Sequence, residues 1–151
     1  MYHDVVLCET GPDTRRLPVD KDEFVGFRKK LGKTQSQMAQ LLGVSVKAVH
    51  SYEQGWRSVP AHVEKQMLFL ISQAGGNKDG RPPCWELKQC PEEVRDGCPA
   101  YEYQEGRLCW MISGTMCEGR PRKSWNEKMK ICRRCRALTP VLNGRDECRE
   151  N

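Results

Sequence analysis

Eight of the nine cysteines in this 151-residue chain lie from Cys84 onward, and that crowding limits what the second half can fold around. They run Cys84-Trp85, Cys90-Pro91, Cys98-Pro99, Cys109-Trp110, Cys117, Cys132-Arg133-Arg134-Cys135 and Cys148, with Cys8 standing apart. A segment this short buries little apolar area, so its thiols are expected to supply folding energy through a metal or through disulfides. The opening Met1-Tyr2-His3-Asp4-Val5-Val6-Leu7-Cys8 has no basic start, no long apolar run and no small-residue cleavage site. It does not read as a secretory signal, which points to the cytoplasm. In a reducing compartment the same cysteines favour metal over disulfides. No apolar stretch reaches the roughly eighteen residues of a membrane span.

The glycines and prolines of Ala74-Gly75-Gly76-Asn77-Lys78-Asp79-Gly80-Arg81-Pro82-Pro83 read as a linker. The expected organisation is an N-terminal extension over 1–19, a helical domain over 20–73, a linker over 74–81 and a cysteine-rich domain over 82–151. The fold class is mainly α, with the second domain small and irregular. Four helices are legible in the first domain. Phe24, Phe27, Arg28 and Leu31 share one face of a helix opening at the acidic Asp20-Lys21-Asp22-Glu23 and ending at Gly32. Thr34 and Gln37 form a capping box for a second helix, with Met38, Leu41 and Leu42 inward and Gly43 as its stop. Ser45 caps a third, with Val49 and Tyr52 inward and Gly55 closing it. Ser58 and Pro60 open a fourth, carrying Val63, Met67, Leu70 and Ile71 as one stripe. Val5-Val6-Leu7 suggests a short strand and Gly11-Pro12 a turn, with no function attached.

Two helices joined by a tight glycine turn project the N-terminal side chains of the second towards a major groove. Residues 24–71 resemble the phage-repressor-like Cro/C1 (XRE) family. The resemblance is closest over Thr34-Gln35-Ser36-Gln37-Met38-Ala39-Gln40-Leu41-Leu42-Gly43-Val44-Ser45, Tyr52-Glu53-Gln54-Gly55 and Pro60. It implies a recognition helix from Ser45 to Gln54 with Val46, Lys47, His50 and Ser51 facing double-stranded DNA, Gln35 near phosphate, and Val49 and Tyr52 in the core. Trp56 departs from the family pattern, and Arg57 is the expected backbone contact in its place. In chemical terms Lys47 suits guanine acceptors or phosphate, His50 and Ser51 suit base edges, and Val46 suits a thymine methyl. The net charge of +5, spread over both halves, is compatible with a nucleic-acid partner. The other reading of these helices is a protein-interaction platform with Lys47 and His50 merely solvated. His3 and His62 read as ordinary surface residues.

The second half contains an internal echo: Cys84-Trp85…Cys90 is answered by Cys109-Trp110…Cys117. This resembles a domain with two Cys-Trp motifs found in regulators and sensors of anaerobic bacteria. The candidate metal ligands are Cys84, Cys90, Cys98, Cys109, Cys117, Cys132, Cys135 and Cys148. Structural zinc sites use cysteine pairs two to four residues apart, and only Cys132-Arg133-Arg134-Cys135 has that spacing. Prolines after Cys90 and Cys98 and widely separated ligands are shared with iron–sulfur proteins. An iron–sulfur cluster, of the 4Fe-4S type, and zinc both remain open. Arg120, Arg122, Lys123, Lys128, Lys130, Arg133, Arg134 and Arg136 would offset anionic thiolates or form a solvated or DNA-contacting face.

No nucleophile with its base, phosphate-cradling glycine loop or paired carboxylate is present, so an enzyme with a small-molecule substrate is not expected. The expectation is a homodimeric, cytoplasmic transcription regulator whose metal centre senses redox state, oxygen or iron. The alternative is a zinc-stabilised DNA-binding or protein-interaction module without a sensing role.

Overall fold

The computed structural model describes residues 19–74 and 81–143. The Val5-Val6-Leu7 strand, the Gly11-Pro12 turn, His3, Cys8 and Cys148 lie outside the described residues.

Asp20 caps α1 (Lys21–Lys30), its carboxylate accepting the Glu23 N–H at 2.8 Å. The capping box forms as expected at α2 (Gln35–Leu42): Thr34 Oγ1 accepts from Gln37 N at 3.1 Å, and Gln37 Oε1 accepts from Thr34 N at 3.0 Å. Ser45 Oγ accepts the Ala48 N–H at 3.0 Å to start α3 (Val46–Gln54). Gly43 and Gly55 stop α2 and α3 at φ of 65° and 76°, a left-handed geometry that costs glycine nothing. The turn between them lays α3 against both α1 and α2.

The fourth helix, α4 (Ala61–Ala74), buries Val63, Glu64, Met67, Leu68, Ile71 and Ser72. Its buried face is wider than the stripe predicted from sequence, and Leu70 lies only at its margin. Leu41 also departs from expectation: it is 43% exposed, and Ala39 takes the inward place beside Met38 and Leu42.

From Cys84 onward come three single-turn helices, α5 (Cys84–Leu87), α6 (Glu92–Asp96) and α7 (Pro99–Glu102), then 3₁₀ turns at Cys109–Met111 and Cys117–Gly119. Pro91 and Pro99 sit at the starts of α6 and α7, where a missing N–H loses nothing. That local role accounts for both Cys-Pro pairs. The longest helix of this half, α8 (Trp125–Cys132), begins where Ser124 Oγ accepts the Glu127 N–H at 3.2 Å. A short α9 (Thr139–Asn143) then lies along α4. Among the described residues there is no strand.

One hydrophobic cluster runs through both halves. Trp110, Met129, Cys132, Leu138, Val141 and Leu142 belong to the same core as Phe24, Val49, Met67 and Leu68. This second partner is why α4 buries more than one stripe. Lys30 Nζ also donates to the Leu142 carbonyl at 3.0 Å, tying the end of α1 to α9.

A buried polar network crosses the same junction. Arg133, 1% exposed, donates through Nη1 and Nη2 to Glu23 at 3.0 and 2.7 Å, and through Nη2 to Glu64 at 2.9 Å. Trp125 Nε1 donates to the other oxygen of Glu64 at 3.0 Å. Two members of the basic run therefore differ from the solvated or DNA-facing reading: Arg133 is engaged inside the protein, and Lys128 is buried with its ammonium on Thr115 Oγ1. Their long stems pack inward because α8 turns that face to the core.

Candidate nucleic-acid interface and metal centre

The start of α3 carries Val46, Lys47 and His50 as exposed side chains, with Ala48, Val49 and Tyr52 buried on the opposite face. Ser51 is half-buried and its hydroxyl donates back to the Lys47 carbonyl at 2.9 Å, leaving its oxygen as an acceptor. Ser45 is exposed, with its oxygen occupied as the helix cap.

Glu53 organises the base of this face. It accepts hydrogen bonds from the Arg28 guanidinium and from the Gln35 side-chain amide, joining α1, the start of α2 and α3. Arg28 also donates to the Lys33 carbonyl at 3.1 Å. Gln35 is thus held at the N-terminus of α2, where a helix end favours an anion. Beyond α3, Arg57 lies over the Tyr52 ring at 5.9 Å. Trp56, not among the expected contacts, is 71% exposed and meets His50 edge-on at 5.4 Å, so its indole restrains the imidazole on the exposed face. The signal for it in the sequence was a large aromatic directly after the Gly55 cap.

All seven described cysteines are free thiols lining two adjoining cavities. The inner cavity holds Cys84, Cys109, Cys117, Cys132 and Cys135 beneath Trp110 and Leu138. The outer one adds Cys90 and Cys98 to Cys84, Cys109 and Cys117, with Arg95 and Tyr101 on its wall. Four elements distant in sequence bring the inner thiols together: α5, the two 3₁₀ turns, and the C-terminal end of α8 with its following turn. Among the described residues no three His, Cys, Asp or Glu side chains are drawn together into a group that would hold a metal ion.

The two Cys-Trp motifs are not equivalent. Trp110 is fully buried in the main core, while Trp85 is half-buried and meets Tyr101 edge-on at 5.1 Å. Their segments are pinned together at Gly106, whose carbonyl accepts the Cys84 N–H at 3.0 Å. A Cβ at residue 106 would stand 2.5 Å from Pro83 Cβ and 2.7 Å from Trp85 Cζ3. Reasoning from the cysteines alone passed over this glycine.

The electrostatics of the cavity favour negative charge on some sulfurs and oppose it on others. A hydrogen bond from Cys109 brings the Cys84 thiol down to about 7 against the pull of burial, with Lys88 assisting. The same bond, with burial, pushes Cys109 up. Burial raises Cys132 to about 11 although Lys128 opposes it. Burial works to lower the Lys88 ammonium, but Cys135 and Cys117 outweigh it and the net shift is upward. Lys128 is 5% exposed, and among the described residues no carboxylate pairs with it. A buried ammonium needs compensating negative charge nearby.

The helix-turn-helix family model matches residues 27–74, a span taking in the last four residues of α1 and all of α2, α3 and α4. The match supports the Cro/C1-type resemblance of that region and a DNA-binding role in transcription regulation. No curated protein and no solved structure matches the chain.

Proposed function

We propose that this chain is a sequence-specific DNA-binding regulator whose cysteine-rich half carries a thiolate metal centre. The DNA reading is carried by the exposed Val46, Lys47 and His50 on a capped third helix, inside the span matched by the helix-turn-helix model. Gln35 and Arg57 supply backbone contacts, and Ser45 and Ser51 complete the face. Side chains at such a helix start reach base edges, and contacts at its flanks fix the register on phosphate. Two copies would read half-sites about one helical turn, roughly 34 Å, apart. The protein would work in the cytoplasm.

The metal reading is carried by the gathering of thiols around a cavity near the buried Lys128, which no carboxylate among the described residues pairs. Cys84, Cys109, Cys132 and Cys135, four of the five thiols lining the inner cavity, are the proposed ligands. Cys117 lies between these and the outer Cys90 and Cys98. Four thiolates on one zinc ion at about 2.3 Å converge on a point, whereas a cluster holds its ligands around a larger body. With zinc as the alternative, we take an iron–sulfur cluster, of the 4Fe-4S type, as the leading group because its ligands are commonly single cysteines widely separated in sequence. Such a group would supply reversible one-electron and oxygen-sensitive chemistry. The chain's own part is to offer the four sulfurs, exclude water with Trp110 and Leu138, and offset thiolate charge with Lys128 and Lys88.

Protein purified without oxygen tests both parts through metal analysis, visible absorption and footprinting on DNA. The expected result is stoichiometric iron and sulfide with charge-transfer absorption, and a protected pseudo-palindrome. Colourless protein with stoichiometric zinc would replace the cluster by the zinc-stabilised module, and binding without sequence preference would remove the recognition helix.

A further inference from the structure

We propose that Arg133 transmits the state of the thiolate centre to the DNA-reading helices. The inference rests on the metal reading above and assigns that site its route of output. Arg133 stands within Cys132-Arg133-Arg134-Cys135, and the two flanking sulfurs line the inner cavity. Its own side chain leaves in another direction and ends between α1 and α4, on Glu23 and Glu64. The turn between the two sulfurs is tight. Arg133 N donates to Met129 O at 2.9 Å, Arg134 N to Ile131 O at 3.1 Å and Cys135 N to Cys132 O at 3.0 Å. A turn so closed moves as a unit, so displacing the sulfurs displaces the guanidinium.

The receiving end is all-or-none. Glu64 and Arg133 side chains are each 1% exposed and Glu23 7%. Withdrawing a guanidinium from two buried carboxylates leaves uncompensated charge that only water can satisfy. Water enters only if α4 and α8 part, which also breaks the Trp125 bond to Glu64. On this proposal the junction would have two arrangements, the clasped one seen here and an open one, which is what coupling between distant sites requires. Ligation of Cys132 and Cys135 favours the clasped one. Because α1 also holds Arg28, the partner of Glu53 under the recognition helix, opening at Glu23 reaches the reading face through one helix.

The test uses the full chain, loaded with iron and sulfide or stripped, on a duplex selected from a random pool by the loaded wild type. Affinity for that duplex should differ by about tenfold or more between the two forms, within the usual range of coupling between sites. In Arg133→Met combined with Glu23→Gln and Glu64→Gln, which removes every buried charge at the junction together, iron content should stay at the wild-type level. The two forms should then bind within about twofold of each other, the coupling having gone. A variant that keeps the wild-type ratio overturns the proposal. Hydrogen exchange on the wild type gives a second reading without any substitution: amides of residues 21–30 and 61–74 should exchange faster after stripping, and unchanged exchange overturns the proposal. Wild type that takes up no metal fails the metal reading itself, and the inference with it. Wild type that takes up metal but binds DNA equally in both forms fails the inference alone.

Discussion

Trp125 donates its indole N–H to Glu64 at 3.0 Å, so the first residue of α8 closes on a carboxylate of α4 that has no contact with water. The bond lies on the opposite oxygen from the one Arg133 uses, and Lys65 rests over the same indole at 4.9 Å. Trp125→Phe keeps most of the ring and removes the donor. It should destabilise the chain by about 1–3 kcal/mol, the penalty for one buried acceptor left unpaired. Urea unfolding followed by circular dichroism measures this.

Lys47 stands exposed on the third helix with its neighbours His50 and Val46. Lys47→Ala should weaken specific binding by about 1–3 kcal/mol if the ammonium bonds a base, and reduce selectivity at that position. A loss equal across all sequences, with a shallower salt dependence, would instead place it on phosphate. Titration of the selected duplex and a scrambled one, each at two salt concentrations, separates the cases. Folding should be unaffected, since the side chain is exposed.

The cysteines should divide by cavity. Cys109→Ser and Cys132→Ser remove buried inner sulfurs and should abolish metal uptake, leaving the second half sensitive to protease because ligation supplies its folding energy. Cys90→Ser alters only the outer cavity and should retain most of the metal. Iron per chain and limited proteolysis of each variant check this. A stripped wild type whose second half resists protease would show that packing alone orders it.

Gly106→Ala introduces a methyl where Pro83, Trp85 and the Cys84 nitrogen already stand within 3 Å. The two Cys-Trp segments must separate to admit it, at a cost of about 1–3 kcal/mol. Since that separation draws Cys84 from Cys109, metal occupancy should fall together with the melting temperature. Calorimetry and metal analysis on the same preparation test the pairing of the two effects.

Local chemistry made the first half legible: capping at Thr34 and Ser45 and left-handed stops at Gly43 and Gly55 depend on residues a few positions apart. Burial was harder to read where it depended on the other half. Glu64 meets Trp125 and Arg133, and Leu68 lies in the core shared with the second half, so a stripe deduced from α4 alone omitted both. The Ser124…Glu127 cap of α8 was available by the same rule as Thr34…Gln37, but the surrounding cysteines drew the reading towards ligands and away from helices. The grouping of inner and outer thiols was not available at all. Sequence spacing separates Cys84 from Cys132 by most of the half, and only the folded path sets both around one cavity.

The shared core also bears on how such a chain can be recombined. A helix-turn-helix head is commonly regarded as a cassette, joined to whatever tail a regulator needs. Here Glu23 and Glu64 are paired with Arg133, and the buried face of α4 shares one core with apolar residues from Trp110 onward, so the head is not independent of its tail. Grafting it elsewhere would strand two carboxylates and an apolar strip. Conversely, another helix-turn-helix sequence with acids at the positions of Glu23 and Glu64 would carry the receiving half of the same junction.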